Sequence, residues 1–87
     1  MFLHVGNNKN ILKERVIGIF DMDNATLSAV SRKFLSQAER AGLSQSADID
    51  ELPRSFILYI DSDNQYKICY SQLSSASLKG RLGDWGS

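Results

Sequence analysis

The chain reads as a small α+β protein: a mostly antiparallel sheet of about five strands, one long helix and a short C-terminal helix. Three observations predict it. Two strongly apolar, β-branched runs, 16–20 and 55–60, are each apolar at both alternating positions, as strands covered on two faces must be. The stretch 26–41 instead spaces its apolar residues at helical intervals. The 87 residues leave room for one domain, which buries only roughly 60–65% of the surface its unfolded chain exposes.

Phe2 to Val5 alternates weakly and forms a first short strand, after which Gly6-Asn7-Asn8 supplies turn residues. Ile11 to Lys13 resumes as a second strand. The tight connection Glu14-Arg15 then suggests an antiparallel hairpin onto a third, Val16 to Asp21, with Arg15 at the sheet rim. By simple alternation Val16 and Phe20 point one way, with Gly18 between them, and Ile17 and Ile19 the other.

Leu27, Val30, Phe34, Leu35, Ala38 and Ala41 define the apolar stripe of a helix over Thr26 to Ala41. Thr26 or Asn24 can cap its start, and Gly42 follows as a left-handed stop. Residues 42–53 form a polar, locally acidic connection, long for so small a domain. Ser55 to Ile60 and Tyr66 to Ser71 are the fourth and fifth strands, joined by a turn at Asp61 to Gln65. Leu73 to Leu82 forms a short helix with Ser74 or Ser75 as cap. The domain is expected to occupy 1–83 and a flexible tail 84–87.

Composition bounds the function. Apolar residues make up 43% and charged residues 23%, with one proline, as in a globular protein. No apolar run approaches the ~20 residues of a membrane span, and the N-terminus lacks the pattern of a signal peptide, so a cytoplasmic location is expected. Formal net charge is zero, which argues against indiscriminate coating of nucleic acid. The charges are nonetheless segregated: residues 21–64 hold eight acids against four bases, whereas each flank is basic. If the fold brings the ends together, a neutral chain still presents one positive face.

Candidate catalytic and metal-binding patterns fail on chemistry. Phe20-Asp21-Met22-Asp23 resembles the nucleophile and acid/base motif of haloacid-dehalogenase-type phosphatases. The glycine-threonine that family expects after the second aspartate is replaced by Asn24-Ala25, and so short a chain cannot supply its parallel, crossover-connected sheet. A fragment of such a phosphatase is therefore a remote alternative, and Asp21 and Asp23 are expected to end the strand and lead into a helix cap. Asp61, Asp63 and Gln65 begin like a calcium loop, but its glycine and bidentate glutamate places hold Tyr66 and Gln72. His4 and Cys69 are the lone histidine and cysteine, which excludes a histidine/cysteine zinc site within one chain. Both are expected to be structural. No enzyme activity, cofactor, metal or small-molecule substrate is expected.

What remains is binding. Arginine, lysine and small hydroxyl residues hold backbone phosphates, and the chain offers Arg15 and Lys13 at the rim, Arg54 before the fourth strand, and Lys79 and Arg81 after a serine-rich stretch. These five are the candidate phosphate contacts.

The residues also carry a resemblance. Phe2-Leu3-His4-Val5-Gly6, Val16-Ile17-Gly18-Ile19-Phe20-Asp21 and Tyr70-Ser71-Gln72-Leu73-Ser74-Ser75-Ala76-Ser77-Leu78-Lys79-Gly80-Arg81 are similar to the opening strand, core strand and C-terminal ending of the bacterial extracellular-matrix regulators of the RemA/RemB family, closest to its RemB branch. The likeness covers nearly the whole chain. It implies a ring-forming α/β domain that binds DNA through edge arginines and activates biofilm-matrix genes, with the homo-oligomer and DNA as partners. Arg15 matches the family arginine before the core strand. The arginine pair before the fourth strand falls at Leu52-Pro53 here, leaving Arg54, and the family's proline in the ending is Gln72. Ring assembly also fits the residues independently, since a small domain with two-sided apolar strands gains stability by burying them between subunits. The alternative is a self-assembling structural module with a protein partner and no DNA.

Overall fold

The structure is a computed structural model that describes residues 1–6, 9–25, 29–46 and 52–83. In chain order the elements are β1 (Phe2–Gly6), β2 (Lys9–Leu12), a 3₁₀ turn (Lys13–Arg15), β3 (Val16–Asp21), α1 (Met22–Ala25), α2 (Ala29–Arg40), β4 (Ser44–Ser46), β5 (Ser55–Ile60), β6 (Tyr66–Ser71) and α3 (Ser75–Leu82). β1 and β2 make a two-stranded antiparallel sheet, and the other strands make a second sheet in the order β3-β5-β6-β4. The α+β class follows, and the strands expected at 55–60 and 66–71 are both present.

Pairing departs from expectation at the N-terminal end. β2 does not form a hairpin with β3: it pairs with β1, Leu3 opposite Ile11, while β3 pairs antiparallel with β5. The cause is local. Lys13–Arg15 winds into a 3₁₀ turn that redirects the chain between sheets, where a two-residue hairpin loop would have folded it back.

The phase of β3 also differs. Val16 pairs with Tyr59 but Gly18 with Leu58, so two residues of β3 oppose one of β5 and Ile17 is the extra residue of a β-bulge. Val16 and Ile19, which simple alternation separates, therefore share one core with Ile57, Tyr59 and Cys69, and Ile17 stays exposed. Gly18 and Phe20 turn to the opposite face, where the Phe20 ring stacks on Phe56 at 5.0 Å between centroids.

Two cores thus lie on the two faces of the four-stranded sheet. On one, Leu3, Val5 and Ile11 of the small sheet and Leu78 and Leu82 of α3 cover Ile57 and Cys69. On the other, Leu35 and Ala38 of α2 cover Phe56 and Ile68. The stripe read from the sequence is partly realised: Leu35 and Ala38 are buried, whereas Phe34 and Ala41 are exposed. Of the helix expected over 26–41, α2 covers Ala29–Arg40 and Ala41 lies beyond its end, while the expected cap Thr26 and the stripe residue Leu27 fall outside the described residues. Asn24 lies within the separate turn α1. That turn is capped by Asp21, whose Oδ1 accepts the Asp23 amide at 2.9 Å.

Gly42 ends α2 as expected, at φ 72°. Its amide donates to the Glu39 carbonyl and the next amide, Leu43, to Ala38, the paired bonds of a left-handed helix stop. The connection expected over 42–53 contains a strand: β4 runs parallel to β6, Ser44 opposite Ile68. Ser-Gln-Ser lacks any apolar alternation, so only its backbone pairing reveals it. At the C-terminal end Ser74 caps α3 by accepting the Ser77 amide at 3.1 Å. The tail expected at 84–87 lies outside the described residues.

Gly18 carries a testable consequence. A Cβ there would meet Cε2 and Cζ of Phe20 at 2.8 Å, and the ring, 42% exposed, must swing away and give up its stack. A stacked pair contributes about 0.5–1.5 kcal/mol, while alanine in place of a strand glycine gains about 0.5–1 kcal/mol. Gly18→Ala should therefore change stability by less than about 1 kcal/mol, and should become stabilising in a Phe20→Ala background. Chemical denaturation of the four proteins of that cycle reads both values.

Candidate functional site

Of the five candidate phosphate contacts, Lys13 and Arg15 share the 3₁₀ turn and Lys79 and Arg81 share α3, while Arg54 stands apart. Arg15 is half-buried. Its Nη1 donates to the Asp61 carbonyl at 2.7 Å, tying the turn to the β5–β6 connection 46 residues away. No carboxylate lies within ion-pair distance of this guanidinium among the described residues. One bond leaves most of the five N–H donors of an arginine available.

Arg15 also lines two adjoining grooves. One, of about 290 Å³, is bordered by Phe2, Lys9, Asn10, Tyr59 and Ser62. The other, of about 420 Å³, is bordered by Glu14, Val16, Ile17 and Ile60. Lys9, not among the sequence candidates, therefore shares a groove with Arg15. Lys9 lies on β2, and the pairing of β2 with β1 was not legible in the sequence.

The remaining candidates are spread out. Arg54 is exposed and stands at the start of β5, whose far end adjoins Asp61; six residues of strand, about 20 Å, separate it from Arg15. Its backbone joins the ends of three elements, its amide donating to Ser71 and its carbonyl accepting from Met22. Lys79 and Arg81 are exposed on α3, and Arg81 Nη1 donates to the His4 carbonyl at 3.3 Å.

Asp61 organises the turn against which Arg15 rests. Its Oδ1 accepts the amides of Asp63 at 2.9 Å and Gln65 at 3.1 Å, and its Oδ2 lies 3.6 Å from Lys67 Nζ. The Gln65 amide, followed by the Asp63 amide and the Lys67 charge, holds its carboxyl below the ordinary value of 3.8. It is ionised at neutral pH. The Asp61 carboxylate thus acts on its own turn's backbone, and no group of three or more metal-ligating side chains occurs among the described residues.

The lone histidine and cysteine stand in different surroundings. Cys69 is fully buried, and that burial raises its thiol pKa, against a smaller opposing pull from Lys9. Such a thiol is protonated and unreactive at neutral pH. His4 is exposed in β1 with Nδ1 3.1 Å from Asn10 Oδ1.

A third groove, of about 280 Å³, lies between α2 and β6 and is lined by Phe34, Gln37, Ala38, Ala41, Leu43, Tyr66 and Ile68. It is nearly all apolar, on the sheet face opposite β1 and β2. No described helix is long and apolar enough to cross a membrane. No protein-family model and no curated protein matches the chain.

Proposed function

We propose that the chain is a self-associating cytoplasmic regulator of extracellular-matrix gene expression that contacts DNA through its basic residues by charge and shape. The observation that carries this reading is Arg15: a half-buried residue whose guanidinium has no carboxylate partner among the described residues, at the meeting of two open grooves. A guanidinium without a counter-ion has donors free for an incoming phosphate, with which it makes charge-assisted hydrogen bonds. The motifs similar to the RemA/RemB family supply the class of partner and the biological setting.

Self-association has its own support. Phe2 is 64% exposed on the β1–β2 side, and the apolar groove opens on the α2 side. A contact between two such unlike surfaces is heterologous, and heterologous contacts that close make rings. Assembly would also gather basic residues that one copy keeps about 20 Å apart. The rival, an assembly module that binds a protein and no DNA, draws on the same groove.

Salt-dependent gel mobility with promoter-length duplex distinguishes them, with oligomer size read by light scattering. Binding should weaken steeply as salt rises, and Arg15→Ala should lower the slope of log affinity against log salt by about 1 for each phosphate the arginine neutralises. Intact oligomers that shift no DNA at low salt would overturn the DNA reading and leave the rival.

A further inference from the structure

We propose that Asp61 is a positioning residue for Arg15: its carboxylate folds the β5–β6 turn so that its own carbonyl holds the guanidinium at the mouth of the two grooves. This rests on the reading of Arg15 as a phosphate contact.

Asp61 is bonded from every side. Its amide donates to the Gln65 carbonyl at 3.0 Å, and Oδ1 accepts the Asp63 and Gln65 amides. Its carbonyl accepts the Asn64 amide at 3.0 Å as well as Arg15 Nη1 at 2.7 Å. Both lone pairs of that oxygen are therefore used, and its direction is fixed by the same turn the carboxylate closes. Asn64, held at φ 62°, completes the turn in a conformation asparagine tolerates. A long arginine on a surface turn otherwise spreads over many rotamers, and fixing it beforehand removes that cost from binding.

Asp61 has two opposed effects on an anion at Arg15. Its negative charge repels the anion, though Lys67 at 3.6 Å offsets much of that field. Its acceptor geometry places the cation. The two effects predict opposite signs, because asparagine removes the charge while keeping an oxygen that can accept both amides, whereas alanine removes charge and acceptor together.

The test compares the full-length wild type, Asp61→Asn and Asp61→Ala for binding to promoter-length duplex across salt, with the alanine change repeated in Arg15→Ala. Asp61→Asn should bind at least as tightly as the wild type. Asp61→Ala should bind several-fold to about tenfold more weakly, approaching Arg15→Ala, and should cause no further loss once Arg15 is gone. A general structural defect would persist in that background. Should Asp61→Ala fail to fold, Asp61→Ser, with its shorter and weaker acceptor, carries the same comparison. Binding by Asp61→Ala as tight as by Asp61→Asn would overturn the positioning role and leave the DNA reading intact; a wild type that shows no salt-dependent binding would overturn both.

Discussion

Replacing Leu78 with alanine should lower the unfolding free energy by about 2–5 kcal/mol, the cost of emptying a fully buried leucine site. Leu78 is 0% exposed and joins α3 to the core formed by Leu3, Val5, Ile11 and Ile57. Its helix has eight residues, too few to be stable alone, so packing and the Ser74 cap hold it in place. The loss is large against the total stability of roughly 4–13 kcal/mol expected for a domain of this size. Urea denaturation should show the midpoint falling with little change in slope; a changed slope would mean that α3 detaches before the sheet unfolds.

Ser71→Ala should be nearly as damaging, although it removes one oxygen. Ser71 is 1% exposed; its hydroxyl donates to the Val5 carbonyl at 2.8 Å and accepts the Leu73 amide at 3.0 Å. It is a polar bond between the small sheet and the large one. Directly across the ladder Ser55 is also buried, and its hydroxyl donates to the Leu73 carbonyl at 2.6 Å. Alanine at 71 leaves a buried carbonyl and an amide without partners, each costing about 1–3 kcal/mol. A loss of about 2–4 kcal/mol corresponds to a melting temperature lower by roughly 10–25 °C. Circular dichroism melts of Ser71→Ala and Ser55→Ala, singly and together, would read it. The double variant should lose less than the sum, because both serines serve Leu73.

The parts of this fold that were legible in the sequence are those where a local signal and its tertiary use coincide. β5 is a continuous apolar run after Ser55 and β6 a largely apolar one interrupted by Lys67, joined by a turn of aspartate, serine and asparagine, and Gly42 and Ser74 are caps whose function is local. β4 was illegible because its three polar residues carry no apolar pattern, and its pairing with β6 joins segments far apart in the chain. The phase of β3 was illegible for the opposite reason: with Val16, Ile17, Ile19 and Phe20 all apolar, no pattern marks which residue is the extra one. The site divides in the same way. Arg15 could be placed at a rim from its position before a strand. Its acceptor lies 46 residues away, so the role of Asp61 and the proximity of Lys9 depended on pairings that the sequence left open.

The bulge at Ile17 has a consequence for how relatives of this chain would be compared. Without Ile17, the run Val16, Gly18, Ile19, Phe20 alternates between the two faces without interruption and meets Tyr59, Leu58, Ile57 and Phe56 one for one. The ladder from Gly18 onward therefore keeps its register when the extra residue of the bulge is deleted, whereas a deletion between Gly18 and Phe20 would shift it. An alignment of related chains should carry its gap there, and one that instead slides the whole strand by a residue would exchange its two faces and match core positions with surface ones.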